Sequence, residues 1–293
     1  MNILVFGSNG QVGWEVRRQG PVHGCRIIGY DHAGLDITDR KAVLRAVEKN
    51  APDLVINGAA YTAVDRAEAE PAKAFAVNRD GPAWLADACA ARHIPLIHLS
   101  TDYVFDGRAT CPYPETAPIA PRGVYARSKA AGEEEVRARL KEHLIIRTSW
   151  VYGNHGGNFV KTMLRLGQEQ ETLQVVHDQW GCPTFAGDLA AALLTMAGKI
   201  RTGQPEVWGT YHCCGATAVT WHEFATLIFA LAGKKHPVKV KNIMPISSTQ
   251  YPAAAPRPKY SVLDCRKTFA AFGIRLPELP DSLAAFFAEG EEG

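Results

Sequence analysis

The chain has 293 residues, 46% of them hydrophobic and 21% charged, and its 32 basic and 30 acidic side chains leave a net charge of +2. At roughly 150 residues per domain, this length predicts one large or two modest domains, with a core that needs no disulfide or metal staple. No long basic run is present and no apolar stretch approaches the roughly 20 residues that span a bilayer, so neither a nucleic-acid nor a membrane partner is expected.

The chain opens on Met1-Asn2 and then Ile3-Leu4-Val5-Phe6, a strand signal without the basic start or cleavage site of an export leader. Short runs rich in Ile, Leu and Val recur at 3–6, 26–30, 54–57, 96–99 and 144–147, as expected of strands buried on both faces. Helical stretches at 11–19, 40–49, 71–92 and 124–140 separate them. Such alternation predicts an α/β fold built on a doubly wound parallel sheet (Rossmann) over residues 1–150, with right-handed crossovers. Past Trp150 the pattern loosens into helices at 159–168, 187–196 and 221–232 and strands at 173–177 and 210–213. The proline-rich stretch 245–258 reads as a loop. Residues 151–293 are therefore expected to form a smaller, mixed α/β substrate-binding domain, with segments near 171–180 and 210–232 returning to the first domain. The seven cysteines are odd in number and lack a CxxC pair, which predicts packing thiols in a reducing, cytoplasmic setting. No His/Cys cluster has metal-ligand spacing, so no metal is expected.

Where the first strand ends, Gly7-Ser8-Asn9-Gly10-Gln11-Val12-Gly13 forms a GxxGxxG run that leads into a helix. Glycine allows the tight turn and lets backbone approach a pyrophosphate at the helix start, so Gly7, Asn9, Gly10, Gln11, Val12 and Gly13 are candidates for holding a dinucleotide. The second strand ends at Asp31, placed to accept hydrogen bonds from an adenosine ribose, with Asp36 and Ile37 one short loop later. A carboxylate there favours NAD, whereas Arg17 and Arg18 suit a 2′-phosphate, so NADPH and NADH both stay open.

Tyr125 and Lys129 are the only YxxxK pair, and at i and i+4 they share one face of a helix. An ammonium near the phenol is expected to lower its pKa from about 10 toward the working pH, making Tyr125 a usable proton donor. Ser100 and Thr101 close the strand at 96–99, at the carboxyl edge where ligands of open α/β sheets bind. Either hydroxyl could orient a carbonyl beside Tyr125, with Thr101 the first candidate. Taken singly, each feature has a plainer reading as a turn residue, a surface pair or a strand-end hydroxyl.

Together these motifs resemble the extended short-chain dehydrogenase/reductase superfamily. More narrowly, the strings Gly10-Gln11-Val12-Gly13-Trp14, Ser100-Thr101-Asp102-Tyr103-Val104-Phe105, Arg147-Thr148-Ser149-Trp150-Val151-Tyr152 and Asp178-Gln179-Trp180-Gly181-Cys182-Pro183-Thr184 resemble the dTDP-4-dehydrorhamnose reductase family. The resemblance runs over about nine-tenths of the chain, ending near Arg257-Pro258 and Leu263-Asp264. It implies NAD(P)H-dependent reduction of the 4-keto group of dTDP-4-dehydro-6-deoxy-L-mannose to dTDP-L-rhamnose. By resemblance, Gly10, Gln11 and Val12 hold the cofactor diphosphate, and Asp31, Asp36 and Ile37 lie along the adenosine. Ala60, Tyr61, Thr62 and Leu99 line the nicotinamide side, while Lys129 binds the nicotinamide ribose. Thr101, Asp102 and Tyr103 contact the sugar, Trp150 packs on it, and Arg257 clamps a diphosphate. Gly58 stands where the family usually has alanine. The expected partner is the small nucleotide-sugar substrate, with a homodimer as the expected assembly. Two other readings remain: an epimerase or dehydratase of another nucleotide sugar, and a dinucleotide-binding regulatory subunit without turnover.

Overall fold

The computed structural model describes residues 1–202, 207–232 and 238–290. In chain order the first half holds β1 (Asn2–Phe6), α1 (Gln11–Gln19), β2 (Arg26–Tyr30), α2 (Arg40–Asn50), β3 (Leu54–Asn57), α3 (Val64–Ala69), α4 (Pro71–Phe75), α5 (Gly81–Ala90), β4 (Leu96–Thr101), α6 (Gly123–Arg139) and β5 (His143–Thr148). Then follow β6 (Val151–Tyr152), α7 (Phe159–Glu169), β7 (Thr172–Val176), β8 (Trp180–Gly181), β9 (Thr184–Phe185), α8 (Ala186–Arg201), β10 (Gly209–His212), β11 (Val219–Thr220), α9 (Trp221–Ala232), β12 (Asn242–Ile246), α10 (Arg266–Phe272) and α11 (Leu279–Glu289).

Six strands form one parallel sheet in the order β10-β5-β4-β3-β1-β2. The fold is thus mixed α/β with a doubly wound parallel sheet. Alternate side chains of each strand enter opposite cores. Ile3, Val5, Leu54, Ile56 and Ile146 meet α1 and α8, while Leu4, Phe6, Val55, Leu96 and Ile145 meet α2, α5 and α6. Burial on both faces is why these strands read as unbroken apolar runs. The order reverses between β1 and β3, and ligands of such sheets bind at the carboxyl ends beside that reversal.

Four expectations from sequence are revised. The stretch 71–92 is not one helix: between α4 and α5, residues Ala76–Asp80 form a π-turn. Asn78 within it is fully buried, accepts from the Tyr61 amide at 2.8 Å and donates to Ser128 Oγ at 2.9 Å, tying this turn to α6. Single-turn π insertions of this kind often mark functional sites. The strand at 172–176 does not return to the main sheet but pairs in parallel with β12. Pro245 and Ile246 are therefore strand rather than loop, with Pro245 opposite Val175; a proline is tolerated where its missing N–H falls on an open edge. Of 210–232, only β10 joins the main sheet, because Phe224, Ile228 and Phe229 of α9 pack with α7 and α11 in a separate core. Conversely, α8 lies beyond Trp150 in sequence and yet covers the main sheet through Leu189, Leu193 and Met196. Among the described residues, no helix is long and apolar enough to cross a membrane, and no group of three or more His, Cys, Asp or Glu could hold a metal ion.

Candidate active site

The turn after β1 needs glycine for two separate reasons. Gly7 has φ of +77°, and a Cβ on it would lie 2.5 Å from the Ala59 amide nitrogen. A Cβ on Gly13 would lie 2.2 Å from the Gly7 carbonyl oxygen, so α1 can seat against the turn only as glycine there. Beside this turn, at the reversal of strand order, lies a cleft of about 610 Å³ lined by Gly7, Asn9, Gly10, Asp31, Asp36, Ile37, Ala60 and Tyr61. The first amides of α1 have no intrahelical acceptor, and these features suit a dinucleotide diphosphate.

Other predicted residues of this group sit differently. Val12 is core, and the Gln11 amide donates to the Val151 carbonyl at 3.4 Å and accepts from Asn158 at 3.0 Å, joining the turn to the second half of the chain. Thr62 is exposed beyond Tyr61. Asp31 Oδ1 accepts from the Gly34 amide at 2.8 Å, and Asp36 accepts from the Thr38 amide and hydroxyl, which hold its carboxyl below the usual range. Arg18 is engaged by Glu15 at 2.7 Å and Glu289 at 3.0 Å, and neither Arg17 nor Arg18 lines the cleft. Lys73, His32 and Val77 do line it. Sequence reading missed Lys73 and Val77, which lie beside and within the break at Ala76–Asp80 in a stretch that reads as one helix.

At the next strand ends, Thr101 closes β4 and Tyr125 and Lys129 descend α6. Ser100 Oγ points below the sheet and donates to Glu133 Oε1 at 2.6 Å, so it is committed elsewhere. Thr101 Oγ1 donates to Asp102 Oδ1 at 3.0 Å and lies beside Tyr125. The Tyr103 ring meets Tyr125 edge-on, with centroids 5.9 Å apart. Lys129 Nζ donates to the Leu99 carbonyl at 2.6 Å. Burial draws its ammonium down to about 8 against the pull of Glu133. The expected lowering of the Tyr125 pKa is not found. Desolvation by the surrounding protein pushes it up to about 12, with Thr101 opposing and Asp102 adding to the rise. Lys129 is not among the groups that shift it, and its Nζ bonds the Leu99 carbonyl.

Asp102 is 2% exposed, and burial raises its carboxyl to about 7 despite the bonds it accepts. Its Oδ2 lacks a hydrogen-bond partner, and the nearby Ser261 hydroxyl donates to the Trp180 carbonyl at 3.3 Å. Beneath the site, fully buried Glu133 takes a bidentate grip from Arg147 at 2.8 and 2.7 Å and a third bond from Arg137 at 2.5 Å.

A second cleft, of about 500 Å³, is lined by Phe159, Met163, Gln179, Trp221, Tyr251 and Arg257. Trp150 adopts φ of +47° and stacks on Trp221 with centroids 3.5 Å apart, and Gly181 crowds its ring edge. One face of Trp150 is thus covered by protein. Both terminal nitrogens of Arg257 are held by Asp65, at 2.9 and 2.6 Å, which drops the Asp65 carboxyl to about 2. Phe159, Trp221 and Tyr251 had no signal in sequence, being isolated aromatics gathered by tertiary packing.

A parallel doubly wound sheet with a glycine turn at its reversal and a Thr/Tyr/Lys set beside it defines a Rossmann-like reductase. Residues 1–291 match the family model described as the RmlD substrate binding domain, and the chain belongs to this family. It is 42% identical over 283 residues to the dTDP-4-dehydrorhamnose reductase of Sinorhizobium fredii, covering 96% of this chain and 95% of that one. The dTDP-4-dehydrorhamnose reductase of Escherichia coli is 40% identical over 283 residues, covering 95% and 94%. Among solved structures, a dTDP-4-dehydrorhamnose reductase from Clostridium acetobutylicum superposes with a TM-score of 0.92 at 37% identity, covering 99% of this chain and all of that one. The Bacillus anthracis dTDP-4-dehydrorhamnose reductase in complex with NADP gives 0.90 at 37%, covering 98% and 99%.

Proposed function

We propose that this chain reduces the 4-keto group of dTDP-4-dehydro-6-deoxy-L-mannose to give dTDP-L-rhamnose, with NADPH or NADH as cofactor. What supports the reading is Thr101 beside Tyr125 at the end of β4, with Lys129 one turn further along α6, together with a cleft of about 610 Å³ at the glycine turn and another of about 500 Å³ rimmed by aromatics. The relatives named above act as dTDP-4-dehydrorhamnose reductases, and one of them was solved with NADP. A bound nicotinamide dinucleotide supplies hydride to the sugar carbonyl.

In this reading the residues divide the work. Gly7, Asn9 and Gly10, with the Gln11, Val12 and Gly13 amides, hold the diphosphate. Asp31, Asp36 and Ile37 border the adenosine, and Ala60, Tyr61, Thr62 and Leu99 the nicotinamide side. Lys129 meets the nicotinamide ribose. With its pKa near 12, Tyr125 is protonated at neutral pH, the state needed to donate a proton to the carbonyl oxygen as it gains charge. Thr101 orients that oxygen by a hydrogen bond. Asp102, Tyr103 and the free edge of Trp150 bound the sugar, and Arg257, fixed by Asp65, faces the nucleotide diphosphate. Residues 1–150 with the returning β10 form the cofactor half in this reading, and the aromatic cleft belongs to the substrate half. A homodimer in a cytoplasmic setting is part of the same proposal. Oxidation of NADPH or NADH in the presence of the keto sugar, generated in place, tests it; no oxidation above the sugar-free rate with either cofactor contradicts it.

A further inference from the structure

Four of the seven cysteines, scattered along the sequence, gather in one place. Cys111, Cys182, Cys214 and Cys265 line a cavity of about 700 Å³ that shares no lining residue with the two clefts described above. Cys214 and Cys265 are 51 residues apart, yet their Sγ atoms approach to 3.6 Å. Cys182 and Cys214 are buried, Cys265 is half-buried and Cys111 is exposed. The hydrogen bond from Cys214 draws the Cys265 thiol below the ordinary cysteine range, while the bonds to Cys182 and Cys265 push Cys214 up.

We propose that this cavity is a thiol modification site that takes low-molecular-weight disulfides. Cys265 is the attacking thiol and Cys214 the resolving one. As thiolate, Cys265 Sγ attacks one sulfur of the small disulfide, forming a mixed disulfide and releasing one small thiolate. The Cys214 thiol then gives up its proton, and its sulfur attacks Cys265 Sγ. A Cys214–Cys265 disulfide forms and the second small thiolate leaves. Two protein thiols are oxidised, one small disulfide is reduced to two thiols, and the two protons end on those thiols. The half-buried opening at Cys265 admits the reagent, and the 3.6 Å approach lets the second step occur without a large backbone movement. Cys265 ends the strap that begins at Arg257 and carries Ser261 past Asp102, so the modification site and the candidate active site share one segment.

The test uses the full native chain, incubated with oxidised glutathione, alkylated and mapped by peptide mass spectrometry. A crosslinked pair of peptides carrying Cys214 and Cys265 is expected, reversed by dithiothreitol. In Cys214→Ser the second step is blocked, so the glutathione adduct should accumulate on Cys265. Adducts confined to Cys111 in the native chain, with Cys214 and Cys265 recovered as alkylated free thiols, would overturn the proposal. That reading needs no variant to fold.

Discussion

Tyr125 is the proposed proton donor, and desolvation rather than a neighbouring cation sets the state of its hydroxyl. Tyr125→Phe should lower turnover by roughly 10²–10⁴ while leaving cofactor binding nearly intact, measured by steady-state rates beside a cofactor titration. Near-native turnover would remove Tyr125 from its role. Asp102 makes a separate prediction about stability. Its folded pKa of about 7 lies above the ordinary 3.8, so between those values the unfolded chain has lost a proton that the folded chain keeps. Stability should therefore fall as pH rises through that window, by up to about 4 kcal/mol. Asp102→Asn should flatten the slope, seen as urea midpoints at pH 5 and pH 8 that differ less than in the native chain; an unchanged slope contradicts the assignment. At this scale the glycine turn and the YxxxK pair were legible because their geometry is local. The choice between Ser100 and Thr101 was not, since it is made by Glu133, 33 residues away from Ser100.

α6 and β5 are joined by charge under the candidate site as well as by packing. Arg147 is 3% exposed and its guanidinium is spanned by Glu133. Glu133→Gln leaves that buried cation short of its counter-charge and should cost about 3–5 kcal/mol in urea unfolding. Replacing both, as Glu133→Leu with Arg147→Met, should recover much of the loss; a single-variant cost below about 1 kcal/mol would show that the pair is not desolvated as described. The parallel strands were legible because burial on both faces leaves unbroken apolar runs. The π-turn at Ala76–Asp80 was not, because its cause is the fit of Asn78 between Tyr61 and Ser128 rather than any break in local propensity. The pairing of β7 with β12 was hidden likewise, since it joins segments 70 residues apart.

Across the whole molecule, one face of the parallel sheet is completed by residues from far down the chain. Leu189, Leu193, Met196, Tyr211, Phe272 and Leu276 pack with Ile3, Val5 and Ile56 in a single core. A fragment ending at residue 150 would expose that face, so it should lack a cooperative thermal transition and bind a hydrophobic dye, whereas the intact chain should not bind it; a cooperatively melting fragment would contradict this. The sequence pattern marked a boundary at Trp150 because strand–helix alternation loosens there, but alternation cannot report which later helix covers an earlier strand. The proposed activity is direct reduction of the sugar at C4 in a site proposed around Thr101, Tyr125 and Lys129. It is tested most directly by running the reaction with NADPH or NADH deuterated at the transferred position of nicotinamide C4 and reading the sugar product by nuclear magnetic resonance. Deuterium at sugar C4, one per cofactor oxidised, is the predicted result; a converted sugar without deuterium and with the cofactor unchanged would contradict it.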